Sequence, residues 1–263
     1  PIIIENKAGG AGNIGADAVA KADPDGYTFL VGTNGPVAVN KALFASLPFD
    51  PDKDLRPVSL FVRAPQLLVV NPNVPVKTLK EFVAYAKANP TALDYGTTGA
   101  GSASHLTMEL LKFREGINVN HIPYRGFPLA VQDMLGGQVE SMFAIAAGML
   151  PYVKDGRVRA LAVTSDKKFA LAPDVPTVNE AGYPYLDSFA WIGLLAPAKT
   201  PDDIVNKVQA AVAKGLADAE TKAKLEQQGY EVIGSTPAQF ATWIKAEADK
   251  WGDVIKRTGA KAE

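Results

Sequence analysis

The chain has 263 residues, 47% of them apolar and 21% charged, the proportions of a globular protein rather than a disordered one. Its 27 lysines and arginines balance 28 aspartates and glutamates, so no basic face for nucleic acid is advertised, and no apolar run approaches a membrane span. There are no cysteines, which excludes disulfides, thiolate metal sites and cysteine nucleophiles.

The first run, "PIIIE", reads as a strand over Ile2 to Glu5. No initiator methionine or charged-then-apolar leader precedes it, so either a leader and more have been removed or the sequence begins inside a domain. "GAGNIG", Gly10 to Gly15, then satisfies the G-x-G-x-x-G spacing of a dinucleotide loop ahead of a helix over Ile14 to Ala22. Two features count against a nucleotide. Residues 6–9 separate the first glycine from the strand, and "VGTNG" (31–35), where a ribose-binding carboxylate belongs, is not acidic. A loop that needs a permissive backbone is the other reading.

"DPDG" (23–26) is a turn, and strands are predicted over Thr28 to Val31, Val58 to Val62 and Leu67 to Val70. Thr78 and Glu81 form a capping box for a helix that buries Leu79, Phe82, Val83 and Ala86. Further on, "DYGTTGAGSASH" (94–105) leads from a short strand into a helix whose inner face is Leu106, Leu110 and Phe113, closing at Gly116. Gly99 and Gly101 let this loop turn tightly, and Ser102 or Ser104 can cap the helix. The unpaired amides of that helix start suit a carboxylate; a plain helix cap without a ligand is the alternative. "NVNHI", "ESMFAI" and "RALAVT" are short strands, and Thr200-Pro201 with Asp203 and Thr236-Pro237 with Gln239 open two late helices. The alternation of strands and helices predicts an α/β architecture. No linker divides it. "APQLLVVNP" (64–72) and "FAWIGLLAPAKTP" (189–201) are long enough to run from one lobe into another.

Catalytic constellations fail one by one. G-x-S-x-G is absent, and His105 lies too near Ser102 in sequence to align as its base. Ser165 to Lys168 matches S-x-x-K without the companion motifs of that enzyme class. His105 and His121, the only histidines, have no close ligand pair for zinc or iron; hydrogen-bonded structural histidines are the alternative. No cofactor or metal is called for, and the glycine and hydroxyl loops at strand ends point to binding without chemistry.

Several stretches together resemble the tripartite tricarboxylate transporter receptor family, the Bug or TctC-like periplasmic solute-binding proteins: residues 2–33, "YGTTGAGSASHL" (95–106), "IPYRGFPLAVQDMLGGQVESMF" (122–143), "GRVRALAVTS" (156–165), "PDVPTVNEAGYP" (173–184) and "WIGLLAPAKTP" (191–201). The resemblance implies a two-lobed, Venus-flytrap fold of the type II periplasmic-binding class, with a small carboxylate between the lobes and hinge closure biased by the ligand. It also implies a periplasmic, exported and monomeric receptor read by membrane permease subunits. Residues 1–67 and 190–263 would form lobe one, and 68–189 lobe two. Carried over residue by residue, the ligand contacts are Thr33, Asn34, Thr98, Gly99, Gly101, Ser102, Ser104, Arg125 and Gly126. Ala144 would line the floor, Arg125 either pairs with an acid or is simply exposed, and Trp191 either walls the pocket or packs in the core.

Two departures accompany the resemblance. Family members begin with a further strand and a P-F-x-P-G-G loop ahead of the equivalent of Pro1. Many also carry an aspartate where this chain has Ala144, which disfavours a ligand bearing an ammonium group. An NAD-dependent or hydrolytic enzyme remains the alternative function, and the effector-sensing part of a transcription regulator ranks last.

Overall fold

The computed structural model describes residues 2–261. Its organising element is β2 (Leu55–Val70), a 16-residue strand that serves two sheets in turn. Sequence reading placed a strand at Val58 to Val62 that continues after "RAP" as Leu67 to Val70, and the structure joins them in one longer strand. "RAP" does not interrupt it, because Pro65 falls where β2 leaves one partner for the next.

In the first sheet, residues 55–65 of β2 pair antiparallel with β7 (Phe189–Pro197), which also pairs with β1 (Leu30–Thr33); the short β8 (Glu231–Val232) adds to Val62 and Arg63. In the second, residues 66–70 pair with β5 (Ser141–Ile145) and β6 (Arg159–Val163). There β3 (Asp94–Thr97) runs parallel to both β5 and β4 (Asn120–Pro123). Residues 66–70 are buried throughout, as expected of a strand covered on both faces, whereas residues 55–65 are buried only in part. At the change of sheet, the Gln66 amide donates to Thr164 Oγ1 (2.9 Å), and Gln66 Nε2 donates to Thr107 Oγ1 (3.0 Å) and Ser188 Oγ (3.2 Å). The Thr164 hydroxyl donates on to the Ser188 carbonyl at 2.6 Å. These buried bonds tie both strand crossings into one polar junction.

Helices α1 (Asn13–Ala20), α2 (Asn40–Leu43), α3 (Pro51–Asp54), α8 (Asp202–Ala217), α9 (Ala219–Gln227) and α10 (Pro237–Thr258) accompany the first sheet. Helices α4 (Leu79–Ala88), α5 (Ala103–Glu115), α6 (Phe127–Gly136) and α7 (Ala146–Lys154) accompany the second. The long α10 packs on both β2 and α5, so one apolar core runs from Phe240, Trp191 and Trp251 through to Leu68, Phe82 and Tyr95. Fully burying each such side chain contributes about 2–3 kcal/mol. A second cluster, including Leu67, Met134, Met142, Ala144 and Met149, fills the space under α6 and α7.

Several expectations change. Ile2 to Glu5 is not a strand: Ile2, Ile3 and Ile4 are 94%, 82% and 82% exposed and pair with nothing described. Strand propensity makes no strand without a ladder partner. The second predicted strand is displaced two residues, to Leu30–Thr33, by its register with β7, after an Asx turn in which the Tyr27 amide donates to Asp25 Oδ1 (3.0 Å). Thr78 caps α4 and that helix buries the predicted face, but Glu81 accepts from the Lys77 amide (2.6 Å) instead of returning a bond to Thr78. Thr200 does not cap α8; its carbonyl accepts from Arg56 Nη1 at 2.7 Å while its buried hydroxyl has no partner among the described residues. Thr236 and Gln239 do form the complete capping box of α10. Phe113 is 41% exposed, because α5 emerges from between the second sheet and α10 after Leu111.

Candidate functional site

The C-terminal ends of the parallel strands β3 and β4 lie side by side, and each feeds a helix N-terminus, α5 and α6 respectively. Open α/β sheets bind ligands at such strand ends. The turn from β3 into α5 is held from within. Thr98 donates its amide to Ser104 Oγ (3.2 Å), and Gly99 donates its amide to Thr97 Oγ1 (3.2 Å). The Ser102 hydroxyl donates to the Gly99 carbonyl at 2.6 Å and accepts the His105 amide as the N-cap of α5. The Ser102 and Ser104 hydroxyls also meet at 2.9 Å. This local network occupies both serines. The amides of Ala103 and Ser104, the first two of α5, have no protein acceptor among the described residues.

Two stacked histidines support the turn. The His105 and His121 ring centroids are 4.2 Å apart, and Tyr95 stacks on His121 at 4.9 Å. The Gly101 amide donates to His105 Nδ1 (3.2 Å), and His121 Nε2 meets Thr97 Oγ1 at 2.8 Å. Burial pushes His105 down to about 4 and His121 down to about 3, so both are neutral at pH 7. A neutral His105 accepts at Nδ1, which puts its proton on Nε2. Below them, Glu109 accepts from the Tyr95 hydroxyl and from Lys112 Nζ, each at 2.6 Å. Burial alone would raise Glu109, but the bonds from Lys112 and Tyr95 hold it below the usual carboxylate range. The histidines are thus hydrogen-bonded structural groups. Sequence reasoning offered that alternative without seeing that they shape the candidate loop.

Beside this turn, the Tyr124 amide donates to the Thr97 carbonyl (3.1 Å), bringing Arg125 and Gly126 next to residues 98–102. Gly126, at φ +107°, is the N-cap of α6, and Arg125 is exposed. From the other sheet, α2 faces the loop. A Cβ placed on Gly101 would stand 2.6 Å from Asn40 Oδ1 and 3.1 Å from Leu43 Cδ2, so this approach requires glycine. Asn40 and Leu43 went unremarked in the sequence; the only trace was an asparagine closing the apolar run "PVAV".

The remaining predicted residues separate. Thr33 is exposed at the end of β1. Asn34 is buried with its side chain fully used: Nδ2 donates to the Phe189 carbonyl and to Glu247 Oε2, both at 3.1 Å, and Oδ1 accepts the Trp191 amide at 3.2 Å. Its side chain anchors the fold and is not available to a ligand. Trp191, 1% exposed, is a core residue: its ring packs edge-on against Phe240 and its indole N–H donates to Glu247 Oε2 at 3.0 Å. Of its two readings, the pocket wall is therefore the wrong one. Ala144 is 2% exposed, pairs with Leu67 and lies inside the second core cluster, so it lines no open floor. The glycine-rich loop over Gly9–Gly12 follows no strand, as a dinucleotide loop must, and its glycines pack on Ile14 and Pro36. Two open depressions, of about 460 Å³ around Lys41 to Asp54 and about 250 Å³ around Asn71 to Glu140, contain none of the predicted site residues.

Comparison with known proteins accords with this geometry. Residues 1–260 match the sequence profile described as the tripartite tricarboxylate transporter family receptor. BugT of Bordetella pertussis is 35% identical over 262 residues, covering 99% of this chain and 80% of BugT. An R. palustris protein solved with adipate superposes with a TM-score of 0.92 at 34% identity, over 98% of this chain and 87% of that one. MatC from Rhodopseudomonas palustris, solved with bound malate, gives 0.89 at 35% identity, over 97% and 88%. The chain has the open α/β periplasmic-binding-protein fold expected from the sequence. The family and these neighbours are solute-binding receptors rather than enzymes, and nothing supports the NAD-dependent or hydrolytic alternative. The chain belongs to the tripartite tricarboxylate transporter receptor family.

Proposed function

We propose that this chain is a periplasmic receptor that captures a small organic carboxylate between its lobes and presents it to the membrane subunits of a tripartite tricarboxylate-type transporter. The observation that carries the reading is the convergence of two helix N-termini, α5 and α6, at the ends of β3 and β4, with α2 of the other sheet opposite Gly101. Such termini present amide donors and the positive end of the helix dipole to an anion. Adipate and malate in the related structures point to the same ligand class. No helix among the described residues is long and apolar enough to cross a membrane, which suits an exported receptor.

Residues 1–67 and 190–263 make up lobe one and 68–189 lobe two, acting as a monomer. The ligand is met by Thr33, Thr98, Gly99, Gly101, Ser102, Ser104, Arg125 and Gly126, mainly through main-chain N–H groups and the Arg125 guanidinium. Asn34, Trp191 and Ala144 support the walls from behind.

Thermal-shift and calorimetric screening of dicarboxylates, tricarboxylates, aromatic acids and nucleotides tests the reading. An acid at a hundred times its Kd stabilises the protein by about 2.7 kcal/mol, and nucleotides leave it unchanged. Arg125→Ala then weakens the acid by about 1.5–3 kcal/mol without altering unliganded stability. Stabilisation by NAD, with no carboxylate effective, overturns the proposal.

A further inference from the structure

Asn40 opens α2 and is 0% exposed. Its Nδ2 donates to the Ala11 carbonyl at 3.2 Å and to Asn13 Oδ1 at 2.6 Å. A carbonyl can only accept, so the Ala11 bond settles which way the amide faces. Oδ1 is left on the opposite side and has no hydrogen-bond partner among the described residues. It lies 3.3 Å from a Cβ built on Gly35 and 2.6 Å from one built on Gly101, two residues ahead of α5. A buried acceptor without a donor is uncommon and costly.

The α5 amides of Ala103 and Ser104 want an acceptor, while Asn40 Oδ1, reaching over from the other sheet, wants a donor. One small molecule meets both demands if it carries a carboxylate and, beside it, a neutral O–H group. We propose that Asn40 is a specificity-determining residue that makes the receptor prefer hydroxy-carboxylates over the same acids lacking the hydroxyl. The proposal rests on the carboxylate-receptor reading above. The carboxylate accepts from the helix start, and the hydroxyl donates to Asn40 Oδ1. This second bond joins the two sheets at the place where α2 already meets the turn at Gly101.

Matched acids test this directly by calorimetry: malate with succinate, citrate with tricarballylate, mandelate with phenylacetate, and aspartate against malate. The intact protein should bind the hydroxylated partner of the productive pair about three- to tenfold more tightly, the worth of one neutral hydrogen bond. Asn40→Ala should erase that ratio by weakening the hydroxy acid alone, with the affinity of the unhydroxylated acid retained. Equal affinities within every pair in the intact protein overturn the proposal, and this arm needs no variant to fold. Equal weakening of both partners by Asn40→Ala assigns Asn40 a structural role and also overturns it. Tighter binding of aspartate than malate replaces the hydroxyl by an ammonium and overturns it as well. If no acid binds at all, the receptor reading itself has failed.

Discussion

Two glycine-rich turns precede helices in this chain, and they are built in opposite ways. The turn over Gly9–Gly12 is exposed, takes left-handed backbone at Gly10, Ala11 and Gly12, and gives α1 no side-chain cap. The turn over Thr98–Ser102 is half-buried, and the side chains of Thr97, Ser102, Ser104 and His105 satisfy it. The first carries the better-known sequence motif; the second carries the better-made turn. A fingerprint reports which backbone shapes are permitted, whereas a binding turn also needs a scaffold that holds those shapes.

Acidification should separate the two turns most strongly. The unfolded histidines titrate near 6.5, whereas the folded ones are depressed to about 4 at His105 and about 3 at His121. Groups held neutral in the fold give stability that is complete above 6.5 and drains away as the pH falls toward 4. Discounting His121 for its partial exposure, about 3 kcal/mol should vanish between pH 7 and pH 4.5 in urea unfolding curves. Glu109, also depressed, adds to the loss in the lower part of that window. His105→Asn, which keeps an acceptor near Nδ1, should remove roughly half of the dependence. A flat profile in the unmodified protein would show that the fold does not hold the stacked pair neutral as the pH falls.

Gly101→Ala comes next. It places a side chain at φ +74° and against Asn40, itself pinned by two hydrogen bonds, so it should cost about 2–4 kcal/mol. The control in the other turn, Gly10→Ala, meets only ordinary contacts at 3.6 Å and should cost about 1 kcal/mol. Equal costs would dissolve the contrast between the turns. Ser102→Ala removes the N-cap of α5 and should cost about 1 kcal/mol by chemical denaturation. The smallest effect is of opposite sign: Ala11→Gly relieves a left-handed alanine at φ +54° and should stabilise by less than about 1 kcal/mol.

Much of this was legible in the residues themselves. Local rules suffice wherever neighbours in sequence are also neighbours in space. Thr236 with Gln239, the buried face Leu79, Phe82, Val83 and Ala86, and the left-handed stop at Gly116 are all found as read. The loop from Thr98 to Ser104 was legible for the same reason, since its hydroxyls and glycines act on each other across a few residues. The family followed from the order of several such stretches along the whole chain.

Tertiary structure alone decided the rest. Ile2 to Glu5 has the composition of a strand and pairs with nothing described, whereas Leu55 to Val70, with Pro57 and Pro65 in it, is one continuous strand. Asn34 looked like a ligand contact until its amide was found spanning β7 and α10, over sequence separations of 155 and 213 residues. Asn40 looked like nothing until Ala11 turned its carbonyl oxygen toward Gly101. By itself the sequence determined several helices, the cap of α10, the shape of the turn from Thr98 to Ser104 and the family. Which side chains are used up by the fold and which are left for a ligand depends on partners far along the chain, and only the packed structure brings those together.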